Sequence, residues 1–200
     1  MSRCRALLRF AFQESLDAKL GNVIDGPAIV PVALEGGMNL PQSYLSACRQ
    51  VAQHLVALDL IAPPLADARL KSIASRLETI SRDATNRVAQ AGLNRAPVLA
   101  SAHQRDFCEW LGLKVTAVFR GADTASIGDM EEAIRVGKRA GIERVIANLP
   151  EGDRTAIALA QRLNARVIVF ENFPALRDGR VSFDTMFTAN VEALLRSAAP

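Results

Sequence analysis

PVLASAHQRDFCEWLGLKVTAVFR, Pro97 to Arg120, decides the reading of the fold. Two short apolar runs, PVLASA and KVTAVFR, flank the stretch HQRDFCEWLG, which has the length and pattern of a short helix. Strands buried on both faces read as near-continuous apolar runs, and a helix between two of them marks a parallel βαβ unit. The rhythm then repeats to the end of the chain. SIGDMEEAIRVGKRAG predicts a helix with Ser126 as its N-cap and Gly141 as its stop. RVIANL predicts a strand, DRTAIALAQRLN a helix, ARVIVFE a strand and FDTMFTANVEALLRSA the closing helix.

Upstream lies the longest periodic pattern in the sequence. After Pro63–Pro64, apolar residues fall at Leu70, Ile73, Leu77, Ile80, Ala84, Val88 and Ala91 in steps of three and four, and Gly92 offers a stop. A helix of roughly 27 residues would run about 40 Å, long enough to span two lobes. Before it, residues 3–20 read as a helix with Leu7, Leu8, Phe12, Leu16 and Leu20 to one side. Val23–Ile24 and Ala28–Leu34 read as short strands, with Pro27 and Pro31 pointing to an edge position. QSYLSACRQVAQHLVALDL reads as a helix. The expected fold class is therefore α/β. Its parts are a truncated N-terminal α/β lobe over 1–64, a long spanning helix over 65–92, and a C-terminal β/α lobe with a four-stranded parallel sheet over 93–200.

Composition narrows the function. The net charge of +3, from 24 basic and 21 acidic residues, is scattered, and one Trp and one Tyr leave no stacking platform, so nucleic acid is not an expected partner. Cys4, Cys48 and Cys108 are far apart and form no CxxC pair, which predicts free thiols and no thiolate metal knuckle. No apolar run is long enough for a transmembrane helix, and MSRCRALLRFAFQESLDAKL, with Arg9, Gln13, Glu14 and Asp17 interrupting it, does not read as a signal peptide.

Open α/β sheets bind ligands beyond the carboxyl ends of their strands. Those ends carry His103, Arg120, Asn148, and Glu171 with Asn172. An imidazole and a carboxylate on one edge make half of a nitrogen/oxygen metal site. Each residue also has a plainer reading. His103 could start a helix, Glu171 could bind a loop amide or an arginine, Arg120 could pair at the surface, and Asn148, before Leu149–Pro150, could serve a turn. His54 reads as a helix-surface or packing histidine, and Asp106 and Cys108 lie near His103 without a specific spacing. No Walker loop, GxGxxG, GxSxG or HExxH occurs, so no enzyme is expected.

The order of motifs VLASAHQRDFCEWLGLKVTAVF, TASIGDMEEAIRVGKRAGIERVIANL, VIVFENFP and FDTMFTANVEALLRSA resembles the second lobe of the TroA-like metal-binding solute-binding proteins of zinc and manganese ABC importers. With the long helix, the resemblance covers roughly residues 40–200. It implies a periplasmic or cell-surface receptor that carries a divalent metal, Zn²⁺ or Mn²⁺, to an ABC permease. By position it makes His103 the second-lobe histidine and Glu171 the acidic ligand. The family's His-x-Trp-Leu-Asp-Pro stretch is represented by EGGMNLPQSYLSAC, which contains no histidine, so the implied metal site is incomplete. A reading from another class uses the same edge in a small-molecule enzyme or sensor, with Arg120 binding an anion and His103 as acid and base.

Overall fold

The computed structural model describes residues 6–10, 13, 15–20, 28–124, 126–177 and 179–198. The chain divides into two compact units, Met1–Gly36 with Pro41–Arg76, and Gly37–Leu40 with Leu77–Pro200.

In the first unit, strand β1 (Ala6–Phe10) pairs in parallel with β2 (Ala28–Val32), Leu8 opposite Val30. The helix expected over 3–20 is thus corrected: residues 6–10 are a strand, and the α-helix among the described residues of this stretch is α1 (Ser15–Leu20). ALLRF is too short for periodicity to distinguish the two, and pairing with a distant strand decides it. Residues 3–5, Phe12 and Val23–Ile24 lie outside the described residues. Pro31 sits within β2, which pairs only with β1 among the described residues, so its missing N–H breaks no central ladder. Helix α2 (Pro41–Ala57) ties back to the end of β2 through Gln50, whose side chain accepts from Ala33 N and donates to Ala33 O, both at 2.9 Å.

Helix α3 (Pro63–Gln90) is the long helix foreseen in the sequence. Pro63 and Pro64, read as a breaker, form its first turn, where a proline's missing N–H has no intrahelical partner to lose. Leu77, Ala84 and Val88 are buried along one stripe. Gly92, at φ 70°, ends the pattern, and Leu93 N–H reaches back to Val88 O at 3.1 Å.

The second unit is built on β3 (Pro97–Ser101), β4 (Lys114–Phe119), β5 (Arg144–Asn148) and β6 (Arg166–Phe170), all parallel in the order β4-β3-β5-β6. The connections are a single 3₁₀ turn (Ala102–Gln104) with α4 (Arg105–Trp110), then α5 (Ile127–Ala140), then a 3₁₀ turn (Leu149–Glu151) with α6 (Arg154–Leu163). After β6 a small hairpin, β7 (Leu176–Arg177) with β8 (Arg180–Val181), leads into α7 (Phe183–Arg196). The hairpin was not foreseen in the sequence. Leu99, Val145 and Ala147 face α5 and α6, packing with Ala133, Ala156, Leu159 and Ala160. The alternate residues Val98, Ala100 and Ile146, fully buried, point to the opposite face. There Phe107 of α4 meets Phe170 of β6 and Phe187 of α7 edge-on, at 5.5 and 5.8 Å, and stacks on Trp110 at 6.0 Å. Arg144 and Arg166, at the starts of β5 and β6, both donate to Ser197 O at the end of α7, where a helix concentrates partial negative charge.

Helix α5 begins as expected at Ser126, in a reciprocal box: Asp129 N–H donates to Ser126 Oγ at 3.1 Å and Ser126 N–H to the Asp129 carboxylate at 3.3 Å. The hydrogen bonds from Ser126, and more weakly the charge of Arg120, lower the Asp129 pKa. Replacing Ser126 by alanine is expected to destabilise the protein by about 1 kcal/mol at neutral pH. A group with a lowered native pKa stabilises above its unfolded value and loses that contribution as pH falls through the native one. The difference between the two proteins, measured by denaturant unfolding, should therefore shrink in acid below about pH 4.

Candidate functional site

In this strand order the chain leaves β3 to one side for β4 and returns to its other side for β5. The switch in direction falls between β3 and β5, the position at which open α/β sheets bind their ligands. Those two ends carry the most chemically varied side chains of the unit.

Ser101 closes β3 and is buried. Its side chain caps the following 3₁₀ turn, accepting from His103 N–H at 3.4 Å, and its hydroxyl donates to Glu151 Oε2 at 2.5 Å. The other oxygen, Glu151 Oε1, lies 3.4 Å from His103 Nε2. His103 is 65% exposed and Glu151 22% exposed, so the imidazole stands in solvent and the carboxylate beneath it is held. Glu151 ends the Leu149–Glu151 turn, and the bridge between Asn148 and Gly152 folds that turn back toward the strand end. Gly121, after β4, gives the Glu151 side chain its room: a Cβ there would stand 3.2 Å from Glu151 Cβ.

Beside this pair lies a neutral buried cluster. Gln104, fully buried, accepts from Asn39 Nδ2 at 2.7 Å and donates to Asn148 Oδ1 at 3.0 Å and Asn172 Oδ1 at 3.1 Å. One amide thereby joins the Gly37–Leu40 segment, the end of β5 and the residue pair after β6. The four carboxamides carry no charge and occupy the centre of the strand-end edge.

The residues singled out from the sequence divide accordingly. His103 stands at the switch point, and the carboxylate beside it is Glu151, which the sequence reading did not select. Glu171 follows β6, two strands and so about 10 Å of sheet from β3. Its backbone is clamped by buried Asn190 of α7, which accepts from Glu171 N–H at 2.8 Å and donates to Glu171 O at 2.9 Å. Asn148, read as a turn residue, joins the amide cluster, and Asn172 joins it too. Arg120 is exposed after β4, and its charge acts on Asp129 in the first turn of α5. Asp106 is exposed, and His54 lies in the last turn of α2. Cys108 is fully buried and burial pushes its thiol pKa up, while Cys48 is half-buried and likewise raised, so both remain protonated free thiols; Cys4 lies outside the described residues. Among the described residues no three His, Cys, Asp or Glu side chains gather to hold a metal ion, and no helix is long and apolar enough to cross a membrane.

A manganese-bound periplasmic metal-binding protein from Candidatus Liberibacter asiaticus superposes with a TM-score of 0.78 at 13% identity, over 96% of this chain and 80% of its own. The cadmium-bound form gives 0.77 at 14% identity, over 96% and 80%. The laminin-binding protein Lmb of Streptococcus agalactiae, described as an adhesin with metal-transporting activity, gives 0.74 at 14% identity, over 98% and 80%. The chain has their fold. The resemblance read from the order of motifs is thereby a structural one, with a parallel four-stranded sheet and a long helix in place. No protein-family model and no curated relative matches the sequence. At such identity the likeness speaks for the fold, and the chemistry of the edge has to be argued from this chain's own residues.

Proposed function

We propose that the chain is the solute-binding component of an ABC importer for a divalent transition metal such as zinc or manganese, working outside the cytoplasmic membrane and delivering its cargo to a permease. The observation that carries this reading is the exposed His103 imidazole with a carboxylate 3.4 Å away, at the switch point of a chain that has the fold of metal-binding periplasmic proteins. The donor set suits a borderline cation that accepts nitrogen and oxygen together. It supplies fewer than the four protein ligands of a closed site, so water completes the coordination and retention is weak. Glu171, the acidic donor implied by the resemblance, stands further along the same edge. The reading entails binding and release without turnover.

Calorimetric titration of the chelator-stripped protein with Zn²⁺ and with Mn²⁺ tests it. One metal should bind per chain with a Kd of about 1 μM or weaker, which corresponds to roughly 8 kcal/mol. His103→Ala should abolish the heat, because an exposed imidazole can be removed without disturbing the core. A wild-type chain that binds neither metal would end the reading.

A further inference from the structure

We infer that the carboxylate sharing the metal with His103 is Glu151, so that the binding unit is the pair His103–Glu151 with Ser101 as its positioning residue. This rests on the function proposed above and assigns the site within it.

The separation of the two donors is the first argument. Two ligands bonded to one tetrahedral zinc at 2.0–2.1 Å stand roughly 3.3–3.4 Å apart, the edge of the tetrahedron. His103 Nε2 and Glu151 Oε1 are 3.4 Å apart. A cation bonded to both would leave that separation nearly unchanged, once the imidazole and the carboxylate turn their lone pairs toward it. The second argument is orientation. The Ser101 hydroxyl donates to Glu151 Oε2 and leaves Oε1 to face the imidazole, the arrangement by which an outer hydrogen bond fixes a ligating carboxylate. Ser101 also accepts from the His103 backbone N–H, so one buried hydroxyl orients the Glu151 carboxylate and holds the main chain that carries the imidazole. The third is access. His103 is exposed and Glu151 partly so, which leaves the remaining coordination positions open to water or to a donor from the cargo's next carrier.

The amide cluster sharpens the assignment. Gln104 donates to both Asn148 and Asn172 across the edge between His103 and the end of β6. They place neutral carboxamides on the edge between the end of β3 and the end of β6, two strands away.

Zn²⁺ titrations of wild type, His103→Ala, Glu151→Gln and Glu171→Gln decide the matter. Glu151→Gln keeps the hydrogen bond from Ser101 and removes the charge. It is expected to weaken binding by at least about tenfold while Glu171→Gln stays within about threefold of wild type. Wild-type affinity in Glu151→Gln, together with loss in His103→Ala, would overturn the assignment and leave the metal-receptor reading intact. Absence of binding in the wild type would overturn both. Mn²⁺ broadening of amide resonances in the unaltered protein gives an answer that no folding defect can obscure. Broadening centred on His103 and Glu151–Gly152 supports the pair, and broadening centred on Glu171–Asn172 refutes it.

Discussion

Gln104→Leu is expected to destabilise the protein by about 3–5 kcal/mol, although it keeps the volume of the side chain. The substitution removes the acceptor of Asn39 Nδ2 and the donor to Asn148 Oδ1 and Asn172 Oδ1. Asn39 and Asn148 are buried, so their groups would stay dry and unpaired, and each such group costs roughly 1–3 kcal/mol. Asn39 has little to spare, since its Oδ1 is already buried without a hydrogen-bond partner among the described residues. Gln104→Glu should be worse at neutral pH, because a carboxylate would face two carbonyl oxygens in place of the amide donors. Its native pKa would be raised, so this variant should recover stability as pH falls, when the protonated acid can again donate. Urea unfolding of the two variants at neutral and acidic pH measures both effects. Equal stability of Gln104→Leu and wild type would show that the cluster contributes nothing net.

Phe107→Ala should produce a loss of similar size, about 3–5 kcal/mol, for a different reason. Phe107 is fully buried, and its ring is the meeting point of Trp110, Phe170 and Phe187. Truncation removes its share of buried apolar surface and leaves a cavity that three rings on separate elements cannot close together. The fall in thermal midpoint should be about 10 °C or more. Trp110 is the chain's single tryptophan, so its emission should shift to the red as water reaches the gap. Because Phe107 anchors the helix that follows His103 and Gln104, the metal affinity proposed above should fall with it. Phe107→Leu, which refills most of the space, should recover most of both losses.

The two substitutions touch parts of the molecule that differed in legibility. VLASA, KVTAVF, RVIAN and RVIVF could be read as parallel strands because their apolar content is continuous, although β4 and β6, at the sheet edges, are only half-buried. The helices between the strands carry their own start and stop residues. Ser126 caps its helix as the sequence predicts, and Gly92 and Gly141 take the left-handed conformation that ends theirs. These signals are local, so they survive without knowledge of the rest of the chain. ALLRF failed by the same standard. Five apolar-rich residues fit either period, and only the ladder to Ala28–Val32 makes them a strand.

The proposed site was legible in one half. His103 follows a strand directly, so its place at the edge could be counted along the chain. Glu151 stands three residues beyond β5, in a turn that bends back through the Asn148–Gly152 bridge, and counting strand ends passes over it. Glu171 directly follows its strand and so was counted with His103, because a sequence does not number the strands across the sheet. Gln104 shows no sign of its role, since a lone glutamine beside a histidine reads as a helix-start residue.

What the sequence determined by itself were the long helix and the alternating strands and helices from residue 97 onward with their parallel sense, because hydrophobic periodicity and capping act over a few residues. Tertiary structure decided which elements are neighbours, and with that which side chains meet. The order β4-β3-β5-β6 sets β3 beside β5, and so brings Glu151 rather than Glu171 to His103. It also gathers three distant carboxamides onto Gln104. Strand order is set by long-range packing and by the closure of the crossover connections, which no local pattern records.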